Sequence, residues 1–143
     1  MRARAAAITE VLKEIRDGMV IGYGSGTTVT QLLPELKKLL EKEDLRVKFI
    51  PSSLQARELL ISYNLELATL DEIPDPDLVI DSFDQADYEG NVIKGGGGAL
   101  LREKVLAQAA KRVVYLGDHL KLKKVLNFPI PIAVSYTHLT LPT

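Results

Sequence analysis

The chain has 143 residues, 46% of them hydrophobic and 26% charged, with a formal net charge of -1. A chain of this size can bury a real core, and its balanced charge gives no sign of a general polyanion binder, so any phosphate must be held by local geometry. There is no cysteine, hence no disulfide or thiolate metal site; His119 and His138 lack zinc-ligand spacing, and no apolar run reaches the ~20 residues of a membrane span.

Ala6, Ile8, Val11, Leu12 and Ile15 recur at helical spacing and predict an amphipathic helix over 3–16. This segment contains acids and lacks an apolar core with a cleavage site. It reads as part of the fold rather than a signal peptide, with the cytoplasm as the expected compartment. A turn and a short apolar strand, 19–23, follow in "DGMVIGYG". "SGTTVTQLLPELKKLLEKE" reads as a loop entering a helix, with Thr27 or Thr28 as N-cap and Pro34 expected to kink the helix or begin a new one. Next come a strand at 46–50, a short helix in "SLQARELLISYN", a weaker strand in "LELATL" and an apolar strand at about 77–81. "NVIKGGGG" reads as a strand or extended arm, "ALLREKVLAQAAK" as a helix, and "RVVYLGD" as a strand at 112–116. Continuous apolar strands alternating with helices predict an α/β fold: an open, mostly parallel, Rossmann-like sheet with helices on both faces. Ligands of such sheets bind beyond the carboxyl ends of the strands, where Ser25 to Thr28, Ser52 and Ser53, Asp81 to Asp84, and Asp118 to Lys121 all fall.

Three stretches carry chemistry. In "GYGSGTT", glycines at 22, 24 and 26 let amides approach a bound group, while a helix N-terminus and the hydroxyls of Ser25, Thr27 and Thr28 complete an anion cradle. The stretch is neither a full dinucleotide fingerprint nor a P-loop, and a tight turn needing glycine only for space is its plainer reading. "DSFDQAD" puts Asp81, Asp84 and Asp87 after a buried strand; such carboxylates bind cations, orient hydroxyls or move protons, although a solvated aspartate-rich turn is the commoner occurrence. "IKGGGGALLREK" is sharper. Its glycines let several amides converge, Lys94 adds a full positive charge suited to an enolate-like oxyanion, and Glu103 follows in the next helix. A flexible linker is the ordinary meaning of four glycines, but apolar residues crowd both sides here. In "GDHLK", Lys121 has the reach for a phosphate, and "IPSS" offers hydroxyls at the same edge or simply a helix cap.

In order and spacing, "GYGSGTT", "IPSSLQA", "DSFDQAD", "IKGGGGALLREK" and "GDHLK" resemble the motifs of type A ribose-5-phosphate isomerase, from about residue 10 to residue 130. The resemblance implies an aldose–ketose isomerase of the non-oxidative pentose phosphate pathway, interconverting ribose 5-phosphate and ribulose 5-phosphate without metal or other cofactor. It implies Glu103 as the base that moves a proton between carbons 1 and 2 through an ene-diolate. Asp81 and Asp84 match acids that open the ring and move hydroxyl protons, and Lys94 with Gly95, Gly96 and Gly97 matches the oxyanion-holding group. Ser25, Gly26, Thr27, Thr28 and Lys121 match substrate and phosphate contacts, with Ser82 and Phe83 beside them at the sugar. The expected partner is a small sugar phosphate, with neither nucleic acid nor membrane, and the full-length protein is expected to be a homo-oligomer.

Departures from the pattern bear on substrate range. Where the family usually reads Asp-Gly-Ala-Asp-Glu, this chain has Asp81-Ser82-Phe83-Asp84-Gln85, and Leu120 stands for a serine. Phe83 is expected to narrow the sugar site, and Ser82 must avoid positive φ or bear strain. Family chains are longer and carry a second small α+β domain before returning to the first sheet. Residues 1–133 are therefore expected to form an incomplete isomerase domain with an exposed apolar edge. Residues 134–143, "VSYTHLTLPT", resemble a translated sequencing-library adapter and are expected to be a non-native tail. A sugar-phosphate-sensing domain of the same fold is the alternative in the binding class, and a related deaminase or coenzyme A transferase the enzymatic one. The sensor would normally follow a DNA-binding helix-turn-helix, for which nothing before Gly18 fits.

Overall fold

The computed structural model describes residues 2–134. The adapter-like segment after Val134, with His138, lies outside the described residues. Helix α1 spans Arg2–Leu12, shorter than its apolar pattern predicts. After Leu12 the amides of Lys13, Glu14 and Ile15 bond carbonyls three residues back, a tighter coil that turns Ile15 into the core. Gly18, at φ +78, then reverses the chain into β1, Val20–Tyr23.

Helix α2 is Thr27–Lys42 and runs unbroken through Pro34. An interior proline removes one hydrogen bond and costs about 3 kcal/mol. Val29, Leu32, Leu33, Leu36 and Leu40 bury one stripe on both sides of it, and that packing outweighs the loss. The N-cap is Gly26, not a threonine: the helix begins at Thr27, so both threonines lie in its first turn. Strand β2, Lys48–Pro51, leads to α3, Leu54–Ser62, whose N-cap Ser53 accepts a bond from the Ala56 amide. Two-residue β3, Glu66–Leu67, is followed by β4, Leu78–Ser82. Then come β5, Gln85–Ala86, and β6, Val92–Ile93; helix α4, Leu100–Ala109; strand β7, Val113–Leu116; and a 3-10 turn, His119–Lys121.

The main sheet has five parallel strands in the order β3-β2-β1-β4-β7, while β5 and β6 form a separate antiparallel pair. Successive residues alternate between its faces. Ile21, Tyr23, Phe49, Leu78 and Ile80 pack with α1, α2 and Leu60 of α3 on one side, and Ile50 and Val79 pack with Leu106 of α4 on the other. The α/β expectation therefore holds, with helices on both faces. Strand order reverses between β1 and β4, and the space beyond their carboxyl ends is the topological switch point where such sheets take ligands. No helix among the described residues is long and apolar enough to cross a membrane.

Candidate active site

Two loops leave the sheet at that switch point, and buried groups fix both. The Tyr23 ring is buried in a T-shaped contact with Phe49, and its hydroxyl donates to the Val29 carbonyl at 2.6 Å, which ties the end of β1 to the first turn of α2. The Gly24 amide extends the pairing of β1 with β4 by bonding the Ile80 carbonyl. A β-carbon on Gly24 would occupy the place of the Asp81 carboxylate, so glycine here makes room for a buried acid. Gly26 takes φ +113 and caps α2 without a side chain, leaving first-turn amides with no intrahelical partner. Gly22 serves otherwise than expected: its missing β-carbon admits Val79 and Leu106, which is packing rather than ligand approach.

Asp81 is 1% exposed. Its Oδ1 accepts from the Ser82 amide at 2.7 Å and the Ser25 amide at 3.3 Å, and its Oδ2 lies 3.2 Å from Lys94 Nζ. Lys94 Nζ also lies 2.9 Å from Glu103 Oε2, off the axis of an aligned hydrogen bond, so that oxygen has a charge partner without a well-aimed donor. Glu103 Oε1 accepts from the Ser25 hydroxyl at 3.3 Å. Burial pushes the Asp81 carboxyl up to about 6; the Lys94 ammonium pulls it down, and the Glu103 charge raises it again. Burial alone would lower the Lys94 ammonium, but the two carboxylates of Asp81 and Glu103 close around it outweigh that and hold the lysine protonated above its ordinary value.

The second loop is tied to the first. Ser82 Oγ donates to the Ser25 carbonyl at 2.7 Å, and the Gly96 amide donates to Asp84 Oδ2 at 2.8 Å. Ser82 ends β4 without the positive φ that would strain it; among described non-glycine residues only Asp44 and Asn64 have one. Lys121 Nζ donates to the Phe83 carbonyl. Gln85, buried in β5, accepts from the Asn127 and Phe128 amides and donates to Asn127 Oδ1, binding the chain after the 3-10 turn to this loop.

The result is a cavity of about 400 Å³ lined by Ser25, Gly26, Thr27, Thr28, Ser82, Phe83, Asp84, Lys94, Gly95, Gly96, Gly97, Glu103 and Lys121, with Arg4 and Gln55. Of the residues that the resemblance assigns to the site, all but Asp81 line that wall; Asp81 stands behind it and braces Lys94 and the Ser25 loop, and Asp87 from the same aspartate-rich stretch does not line it. Ser52 and Ser53 do not line it. Arg4 and Gln55 were not foreseen: each belongs to a helix whose local pattern signals only a solvated polar position, and only the packing of α1 and α3 brings them here. Among the described residues no cluster of His, Cys, Asp or Glu could hold a metal ion.

Carboxylate, lysine, glycine bend and helix N-terminus meet in one cavity, a combination with the chemistry to move a proton beside an anionic group. The family model described as ribose 5-phosphate isomerase A (phosphoriboisomerase A) matches residues 48–141. The chain belongs to the ribose 5-phosphate isomerase A family. Ribose-5-phosphate isomerase A of Methanococcus aeolicus is 40% identical over 134 residues, covering 92% of this chain and 57% of the relative; that of Archaeoglobus fulgidus is 44% identical over 123 residues, covering 86% and 54%. The solved ribose 5-phosphate isomerase A of Methanocaldococcus jannaschii superposes with a TM-score of 0.81 at 37% identity, covering 86% of this chain and 55% of that one. A D-ribose-5-phosphate isomerase in complex with phospho-erythronic acid gives 0.83 at 34% identity, covering 87% and 55%. This chain thus spans about half the length of the family members it matches. At 14% identity, eIF2B delta from Chaetomium thermophilum (TM-score 0.62) shares the fold alone.

Proposed function

We propose that the protein interconverts ribose 5-phosphate and ribulose 5-phosphate through an ene-diolate, with Glu103 as the base. One observation carries this reading: a buried carboxylate shares a small cavity with a charged lysine 2.9 Å away and with the glycine bend. In the open-chain aldose, Glu103 removes the proton on carbon 2 as the carbonyl oxygen on carbon 1 takes up a proton. It then returns the proton to carbon 1 while the hydroxyl on carbon 2 gives one up. Lys94, fixed by Asp81, stabilises the oxyanion that develops between these steps. Asp84 lines the same wall and carries hydroxyl protons. The substrate phosphate sits at the N-terminus of α2, against Thr27 and Thr28, with Lys121 and Arg4 as cations. The phospho-erythronic acid complex of a relative supports a sugar phosphate as the ligand.

The test is steady-state isomerisation of ribose 5-phosphate by the full-length protein. Glu103→Gln should lower kcat by at least ~10²-fold with little change in KM, since an amide preserves shape but accepts no proton. A smaller loss removes Glu103 from the role of base. Tight binding of ribose 5-phosphate with no turnover by the wild type would favour the sensor reading.

A further inference from the structure

We propose that the Phe83 ring is a positioning element for Lys121, and through it for the anionic end of the ligand; the inference rests on the sugar-phosphate reading above. Lys121 Nζ lies 5.7 Å from the centroid of the Phe83 ring, within range of a cation–π attraction, and 2.8 Å from the Phe83 carbonyl oxygen. The ring is 8% exposed and lies against Gly117 at the end of β7. A β-carbon on Gly117 would meet two ring carbons at 2.5 Å. Gly117 lacks the left-handed φ of Gly26 or Gly95, so its need for glycine is room for this ring. Strand β7, the loop after β4 and the 3-10 turn thus meet at one aromatic side chain.

The consequence is preorganisation. A free lysine has a flexible four-carbon stem and loses that freedom when it grips an anion. Held beforehand by a carbonyl and an aromatic face, Lys121 loses less, and its charge already lines the cavity that contains Thr27 and Thr28 at the start of α2. Any residue at position 83 keeps the carbonyl. Only an aromatic one supplies the face.

Calorimetric binding of ribose 5-phosphate, inorganic phosphate and unphosphorylated ribose to the full-length protein tests this. Phe83→Leu, which keeps apolar volume without a π-face, should weaken both phosphates about 3- to 10-fold and ribose by less than twofold. Phe83→Tyr should restore the affinity. Gly117→Ala, which displaces the ring, should weaken the phosphates as Phe83→Leu does, and in turnover either loss should appear in KM rather than kcat. In a Lys121→Ala background, Phe83→Leu should cause no further loss. An equal loss with and without Lys121, an equal loss for ribose, or wild-type affinity in Phe83→Leu overturns the proposal, as does a wild type that binds neither phosphate. If the predicted pattern appears but ribose 5-phosphate is not turned over, the positioning role stands and the isomerase reading falls.

Discussion

Asp81 lies behind the cavity wall, and its chemistry is set by what covers it. Gly24 leaves it space, two amides share one oxygen, and Lys94 takes the other. Its carboxyl rises to about 6 because burial outweighs the lysine, whereas in an unfolded chain it returns to about 3.9. The folded state therefore holds this proton more tightly than the unfolded one. The associated stability is complete below about pH 4 and is lost as pH climbs through about 6. Asp81→Asn removes this pH dependence. Denaturant titrations between pH 4 and 6.5 should show the wild type losing, relative to the variant, on the order of 2 kcal/mol across that window. Parallel pH profiles would show that Asp81 ionises as freely in the fold as outside it. Identity at this position was readable from the sequence, but its place behind the wall was not, because burial comes from Gly24 and Ser25, far away in the chain.

At the scale of elements, apolar runs and glycine turns announce β1, β2, β4 and β7, and the near-continuous burial of the central strands β1 and β4 follows from covering both faces of a parallel sheet, while β7 at the sheet edge stays half-buried. Pro34 shows where local rules yield, since a stripe of leucines keeps α2 whole through a residue that should interrupt it. The pairing of β5 with β6 is the opposite case. Each is two residues long, too short for any periodicity, and the pairing is closed by the Asp84 and Asp87 amides bonding back to Ile93 and Asn91. Gln85 extends this small element to the chain beyond the 3-10 turn. Gln85→Ala should speed amide hydrogen exchange at Asn127 and Phe128 at least tenfold while leaving β4 amides nearly unchanged, because their acceptor disappears and water reaches them. Gln85→Glu keeps the acceptor but loses the bond to Asn127 Oδ1, and should fall between the two.

At the scale of the whole molecule, exposed apolar side chains are most frequent after residue 119 among the described residues, though Leu54, Ile61 and Tyr88 are open elsewhere. Val125, Ile130, Ile132 and Val134 are 76%, 76%, 81% and 59% exposed, with Leu101 and Val105 of α4 also open to solvent. Apolar surface of this kind drives association. Sedimentation of the 143-residue chain alone at tens of micromolar should show species larger than a monomer, and Ile130→Lys with Ile132→Lys should shift them toward monomer. A sharp, reversible thermal transition in a monodisperse sample would contradict this. Strand and helix order, the ligand edge and most of the cavity wall could be read from the chain itself, because periodicity, glycine turns and capping are properties of neighbours in sequence. Tertiary structure alone decided that Arg4 and Gln55 join the site, that Asp81 braces rather than lines it, and that Phe83 meets Gly117 and Lys121. Those facts depend on distances between segments far apart in the chain, which only the packing of helices on the sheet defines.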